Sequence, residues 1–215
     1  LELFFKVFNK NKIKNPIILI SSKKLLNLQM KKLGFKIKIR LLEKSKLKFY
    51  KLDNKNINLI DVEYNPKKAF EKISNKSNEF INNSFKLAFQ IIRKNKINKF
   101  INGPISKKYF LKNNFLGITE YISEKFNTQN TCMLIFNKKL SVCPITTHLP
   151  LKLVSKKITK KTIIRKVSLI NSFYEKNFKY RPQIAILGLN PHCESIHTFN
   201  EDEKIISPSI KYLKK

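Results

Sequence analysis

Two histidines stand in matching settings. His148 follows the apolar run LSVCPI within PITTHLPL (144–151), and His192 follows QIAILG within LGLNPHCE (187–194). A neutral imidazole is a common ligand for a divalent cation, and hydroxyls such as Thr146 and Thr147 can hold the ring or touch a substrate. Each histidine alone reads first as one satisfied by hydrogen bonds at the end of a strand. Two such placements in a chain with only three histidines favour a shared role. If the strands are neighbours, the two rings converge on one ion at the carboxyl ends of a sheet. A catalytic zinc-type site usually takes three protein ligands. After His192 the chain offers Glu194, Glu201, Asp202 and Glu203, none of them compelling, and His197 reads as a surface residue. A third ligand is therefore missing.

A third stretch, FINGPISKKYF (100–110), reads as a strand running into Gly103-Pro104, with Ser106, Lys107 and Lys108 opening a helix. Free N–H groups at a helix start, with a lysine beside them, suit a phosphate or carboxylate. The plainer alternative is an ordinary strand-turn-helix with solvated lysines, since Gly-Pro turns are common.

The elements that must carry these residues alternate. The run at 15–22 reads as a buried strand, 23–34 as a helix closed by Gly34, and 35–43 as a half-buried strand. Further strands are expected at 47–52, 56–64 and 99–103, two more within 131–146 around an Asn-Lys-Lys turn, and a last one at 183–190. Helices are expected over the first dozen residues and at 66–95, 106–113, 119–127, 155–178 and 201–214. This alternation predicts an α/β fold whose largely parallel or mixed sheet is covered on both faces. The glycine in NFLGIT suggests a domain boundary, giving 1–115 and 116–215.

Composition sets bounds. At 215 residues with 42% hydrophobic residues, the chain can bury a real core and is not of disordered type. No apolar run reaches membrane-spanning length. Three cysteines without paired spacing point to free thiols in a reducing, cytoplasmic setting. The net charge of +31 suggests a nucleic-acid partner, but the arginines are only Arg40, Arg93, Arg165 and Arg181, and the lysines run the whole length. Specific readers cluster charge and favour arginine, so compositional drift toward A/T-rich codons explains the charge better. A lysine-rich nucleic-acid-associated protein remains the alternative. A DNA complex is expected at low salt and should dissociate by physiological salt in a fluorescence-anisotropy titration; tight binding there would favour the alternative.

Taken together, NGPISKK, GITEY, PITTHLPL and LGLNPHCE resemble the 4-hydroxythreonine-4-phosphate dehydrogenase family of pyridoxal phosphate biosynthesis, in order and spacing from about residue 13 to 212. The resemblance implies a three-layer α/β/α fold like that of isocitrate and isopropylmalate dehydrogenases, here incomplete. It implies a homodimer whose site lies in the interdomain cleft. It further implies NAD- or NADP-dependent oxidation of 4-phosphooxy-threonine, then decarboxylation to an aminoketone phosphate. A divalent metal (zinc, magnesium or cobalt) would polarise the substrate hydroxyl. By motif, His148 and His192 match two metal ligands, Thr119 matches a substrate-contacting threonine, and Lys107 falls in the Gly-Pro-Ile-x-Lys string.

There are departures. Ile118 stands where the family has a histidine, and CESIHTFNEDE (193–203) replaces a glycine-rich loop. The family string carrying the third metal histidine is absent, as is its opening Gly-Asp-Pro-Ala-Gly segment. The chain is accordingly expected to be a clipped enzyme or a decaying copy. Alone it should be poorly stable and catalytically weak, or a non-catalytic remnant.

Overall fold

The computed structural model describes residues 1–10, 13–95, 97–112, 114–128, 130–193 and 199–214. The chain forms two compact units, Leu1–Asn113 and Asn114–Lys215. It has α/β content: helices and one small parallel sheet. No helix among the described residues is long and apolar enough to cross a membrane.

In the first unit, helix α1 (Glu2–Asn9) precedes strand β1 (Ile18–Ser21), helix α2 (Lys23–Leu33), strand β2 (Ile39–Leu41) and strand β3 (Ile57–Asp61). The strand order is β1-β3-β2, all parallel, with Ile18 opposite Asn58 and Ile39 opposite Ile57. Parallel strands need crossover connections, and α2 provides the one from β1 to β2, which flank β3 on opposite sides. Ser22 starts α2: its Oγ accepts the Leu25 N–H at 3.3 Å and donates to the Tyr64 carbonyl at 2.8 Å. Gly34 ends it with φ 74°, a left-handed cap that glycine takes without a Cβ penalty.

Side chains alternate along a strand, and β3 is buried accordingly. Ile57 and Leu59 pack with Phe5 and Phe8 of α1 and with Leu26 and Met30 of α2. Ile60 joins a second cluster with Leu42, Leu47 and Ile91, the last from helix α3 (Asn75–Asn95).

Three expectations for this unit change. The helix expected at 66–95 starts at Asn75, because Ser74 and Ser77 bond reciprocally: the Ser77 N–H donates to Ser74 Oγ at 3.3 Å and the Ser74 N–H to Ser77 Oγ at 2.9 Å. Residues 44–49 wind into a 3-10 turn in place of a strand at 47–52. Residues 99–103 form no strand; Phe100 lies against Phe85 and Phe89 of α3, with ring centroids 5.7 and 5.8 Å apart. Helix α4 (Lys107–Phe110) follows.

The second unit holds helices α5 (Ile118–Lys125), α6 (Val154–Lys157), α7 (Lys160–Phe178) and α8 (Ser207–Leu213), the last preceded by a π-helical turn at Asp202–Ile206. Ile158, Ile163 and Ile206 form its core, with Ile145, Leu189 and Ile210 packed around them. The helix expected at 155–178 is split because Thr159 caps α7, its Oγ1 accepting the Thr162 N–H at 3.2 Å.

The strands expected at 131–146 reduce to one antiparallel bridge, Ile135 to Val142, with reciprocal bonds of 2.8 and 3.0 Å. Residues 183–190 form no described strand, and Leu187 is 81% exposed. An apolar run becomes a strand only when a neighbour takes its N–H and C=O groups. The described residues show no such neighbour beside 183–190.

Candidate functional site

His148 lies at the end of a segment tied to α7. The Tyr174 hydroxyl donates to Ser141 Oγ at 3.1 Å, and Lys166 Nζ donates to the Pro144 carbonyl at 3.1 Å. Lys166 is only 9% exposed, so its ammonium serves this turn and not bulk solvent. His148 itself is exposed and adopts φ 55°, the left-handed region. Its Nε2 lies 3.8 Å from the point where a Cβ on Gly117 would sit. Gly117 is the buried N-cap of α5, and Thr119 is the second residue of that helix. The structure thus brings His148 to the helix start that carries Thr119.

The same Cβ point is 2.8 Å from Glu120 Oε2, a buried oxygen that accepts no hydrogen bond. Thr119 and Glu120 line a hollow of 540 Å³ together with Ser123, Thr128 and Thr131. Nearby in sequence, burial foremost, with the Cys132 thiol beside it, pushes the Cys143 thiol above its ordinary pKa. Such a thiol is held protonated and is no nucleophile.

His192 sits in the turn Pro191–Cys193 with φ 56°, and Cys193 follows at φ 58°. Asp202, 5% exposed, anchors the approach to this turn. Its Oδ1 accepts the Leu189 N–H at 2.9 Å; its Oδ2 accepts the Asn190 N–H at 3.0 Å and Asn190 Nδ2 at 2.9 Å. Asn200 adds a bond from Nδ2 to the Cys193 carbonyl at 3.4 Å, and Cys193 N–H closes onto Asn190 O at 3.0 Å. Burial pushes the Asp202 carboxyl up, but the donors from Leu189 and Asn190 outweigh it and hold the group below the usual carboxylate range. The sequence marks Asp202 only as a weak ligand candidate. Its bonds to residues 12 and 13 positions earlier leave no local signal.

A Cβ on Gly188 would fall 2.4 Å from Cys193 Sγ and 2.8 Å from Asp202 Oδ1. Cys193 could swing away, but Asp202 is pinned. Gly188→Ala is therefore expected to lower stability by about 1–3 kcal/mol in a urea titration, with an unchanged midpoint contradicting the tight packing.

Lys107 is exposed at the start of α4 in the first unit, whereas Thr119, His148 and His192 belong to the second. The short α4 has no side-chain cap, as Ser106 makes no such bond. Neither histidine ends a strand: His148 follows a lone bridge, and His192 follows a run without a ladder. Among the described residues, no three of His, Cys, Asp and Glu are gathered to hold a metal. Glu194 and His197 lie outside the described residues.

Comparison with known proteins adds a family. Residues 12–215 match the model of the pyridoxal phosphate biosynthetic protein PdxA. A 4-hydroxythreonine-4-phosphate dehydrogenase from Sulfurihydrogenibium sp. (strain YO3AOP1) is 34% identical over 99% of this chain and 66% of that relative. One from Aquifex aeolicus (strain VF5) is 36% identical over 52% of this chain and 36% of its own length. The chain thus spans 66% or less of these curated relatives.

Among solved structures, one from Salmonella typhimurium superposes with TM-score 0.81 at 20% identity, over 99% of this chain and 67% of that one. A 4-hydroxythreonine-4-phosphate dehydrogenase from Klebsiella pneumoniae gives TM-score 0.75 at 18% identity, over 92% and 62%. At such identities these two establish likeness of fold only. The family match and the relative aligned over 99% of this chain together place the chain in the pyridoxal phosphate biosynthetic protein PdxA family.

Proposed function

We propose that this chain forms a metal- and substrate-binding part of a dehydrogenase acting on 4-phosphooxy-L-threonine in pyridoxal phosphate biosynthesis. The observation that carries the reading is the backbone at both histidines. Among the described residues only six non-glycine positions have positive φ, and His148 and His192 are two of them. Each such residue costs about 1–3 kcal/mol and persists only where its surroundings impose it. The tertiary bonds leading into the two turns are Lys166 Nζ to the Pro144 carbonyl, four residues before His148, and the Leu189 and Asn190 N–H groups to Asp202, just before His192. Both imidazoles are open to solvent, and imidazole is a donor that suits zinc or cobalt.

In this reading His148 and His192 bind the cation, Thr119 contacts the substrate, and Lys107 neutralises its phosphate. A bound divalent ion would polarise the substrate hydroxyl, and NAD or NADP would accept the hydride. The residues of the chain orient. Asp202 fixes the entry to the His192 turn, Lys166 fixes the turn before His148, and Gly117 lets the His148 ring approach α5. Ile118 adds no polar contact beside Thr119.

The same reading takes 1–115 and 116–215 as two domains of a three-layer fold, a homodimer and a cytoplasmic location. The covering of β3 on both faces supports the layered fold. Calorimetry tests the function. 4-Phosphooxy-L-threonine should bind the chain with Zn²⁺ present and at least about tenfold more weakly after chelation. Equal affinity with and without metal contradicts the proposal.

A further inference from the structure

We infer that Cys132 and Cys143 form a reversible disulfide that closes the base of the hairpin turning at Asn137–Ser141. The tip of this hairpin is bonded: the Asn137 N–H donates to Ser141 Oγ at 3.2 Å, and Ser141 Oγ donates to the Asn137 carbonyl at 3.0 Å. The middle is bonded through Ile135 and Val142. Below that bridge the described residues show no backbone bond between the arms 131–134 and 143–146. The two thiols stand there instead.

Their placement follows from the bridge. Cys132 lies three residues from Ile135, and Cys143 one residue from Val142. Side chains alternate along an extended chain, so both cysteines fall on the face opposite Ile135 and Val142. Exposure agrees: Ile135 and Val142 are 61% and 51% exposed, whereas both cysteines are half-buried. The Cys132 thiol lies against that of Cys143. No ladder locks the arms here, so the sulfurs can close to the S–S bond length of about 2 Å. Half-burial still admits a small oxidant.

That oxidant is a low-molecular-weight disulfide such as oxidised glutathione. The Cys132 thiolate attacks one of its sulfurs, the S–S bond breaks and one glutathione thiolate leaves. Cys143, held protonated in the resting pair, then gives its proton to solvent and attacks Cys132 Sγ. The second glutathione thiolate leaves. The protein loses two electrons, which the glutathione gains, and the two thiol protons pass to the leaving thiolates. Proximity offsets the low thiolate fraction of Cys143. Excess reduced glutathione reverses the exchange.

The test exposes the full 215-residue chain to oxidised glutathione, blocks free thiols by alkylation and digests with trypsin. Cleavage after Lys125, Lys138, Lys139 and Lys152 puts the two cysteines on separate peptides, 126–138 and 140–152, with Cys193 on a third. Mass spectrometry should find the first two crosslinked, and Cys193 outside the crosslink. The glutathione ratio needed for half-oxidation should show at least about tenfold easier closure in the folded chain than in urea. Cys143→Ser should trap Cys132 as a mixed disulfide with glutathione, whereas Cys132→Ser should leave Cys143 largely unmodified.

Glutathione carried separately by Cys132 and Cys143 without a crosslink overturns the inference. So does a crosslink to Cys193 in equal yield, or equal closure in folded chain and urea. Where a serine variant loses the circular dichroism of the folded chain, the parent's closure with and without urea decides.

Discussion

Asp202→Ala is expected to lower the folding stability of the chain by about 3 kcal/mol, the loss of several charge-assisted hydrogen bonds that leaves donors unpaired. The substitution strips the acceptor from the Leu189 N–H, the Asn190 N–H and Asn190 Nδ2 at once. Leu189 packs on the Ile158–Ile163–Ile206 core, so the loosened loop also loosens the second unit. Asp202→Asn restores the volume but turns an amide NH2 toward one of these donors, and should recover only part of the loss.

The acid dependence has a definite sign. The folded carboxyl is held below its ordinary range. On acidification the unfolded chain takes up this proton first, so the stabilisation is intact above the ordinary range and fades as pH falls through the folded value. Urea titrations of the parent and both variants at neutral and acidic pH check this. Equal midpoints for parent and Asp202→Ala at neutral pH would contradict the anchor.

The second large effect belongs to the first unit. Phe5→Ala is expected to cost about 3–5 kcal/mol. Phe5 is 0% exposed and packs with Phe8, Leu26, Met30, Ile57 and Leu59, with the Phe35 ring 5.3 Å away. Removing the ring opens a cavity between α1, α2 and the central strand, where Leu26, Ile57 and Leu59 are fully buried and cannot easily refill it. Thermal or urea unfolding measures the loss. A drop below about 1 kcal/mol would mean that α1 is not seated on the sheet.

These two sites differ in how far the sequence shows them. The frame around Phe5 is locally encoded. Apolar runs at 15–22 and 56–64 are short and bounded, and Ser22 and Gly34 mark the ends of α2. The parallel sheet of the first unit follows from such signals. The start of α3 was hidden because Phe70 and Ile73 continue a helical spacing, yet both are half-exposed before the Ser74–Ser77 cap.

In the second unit the runs at 131–146 and 183–190 have the right composition for strands. Composition cannot show whether a neighbouring strand receives their backbone groups, and the described residues pair only at Ile135 and Val142.

The site divides the same way. His148, His192 and Thr119 stand out by residue type and motif. Asp202 and Lys166 do not. A lysine is unremarkable in a chain of net charge +31, and the aspartate matters only through partners that folding brings to it.

The account turns on one cation meeting both imidazoles. X-ray absorption at the zinc edge of the Zn²⁺-loaded 215-residue chain counts them directly. Scattering from two imidazole rings, falling to one in either His148→Ala or His192→Ala, is the predicted result. A zinc shell with no imidazole, or one that neither substitution alters, would contradict it.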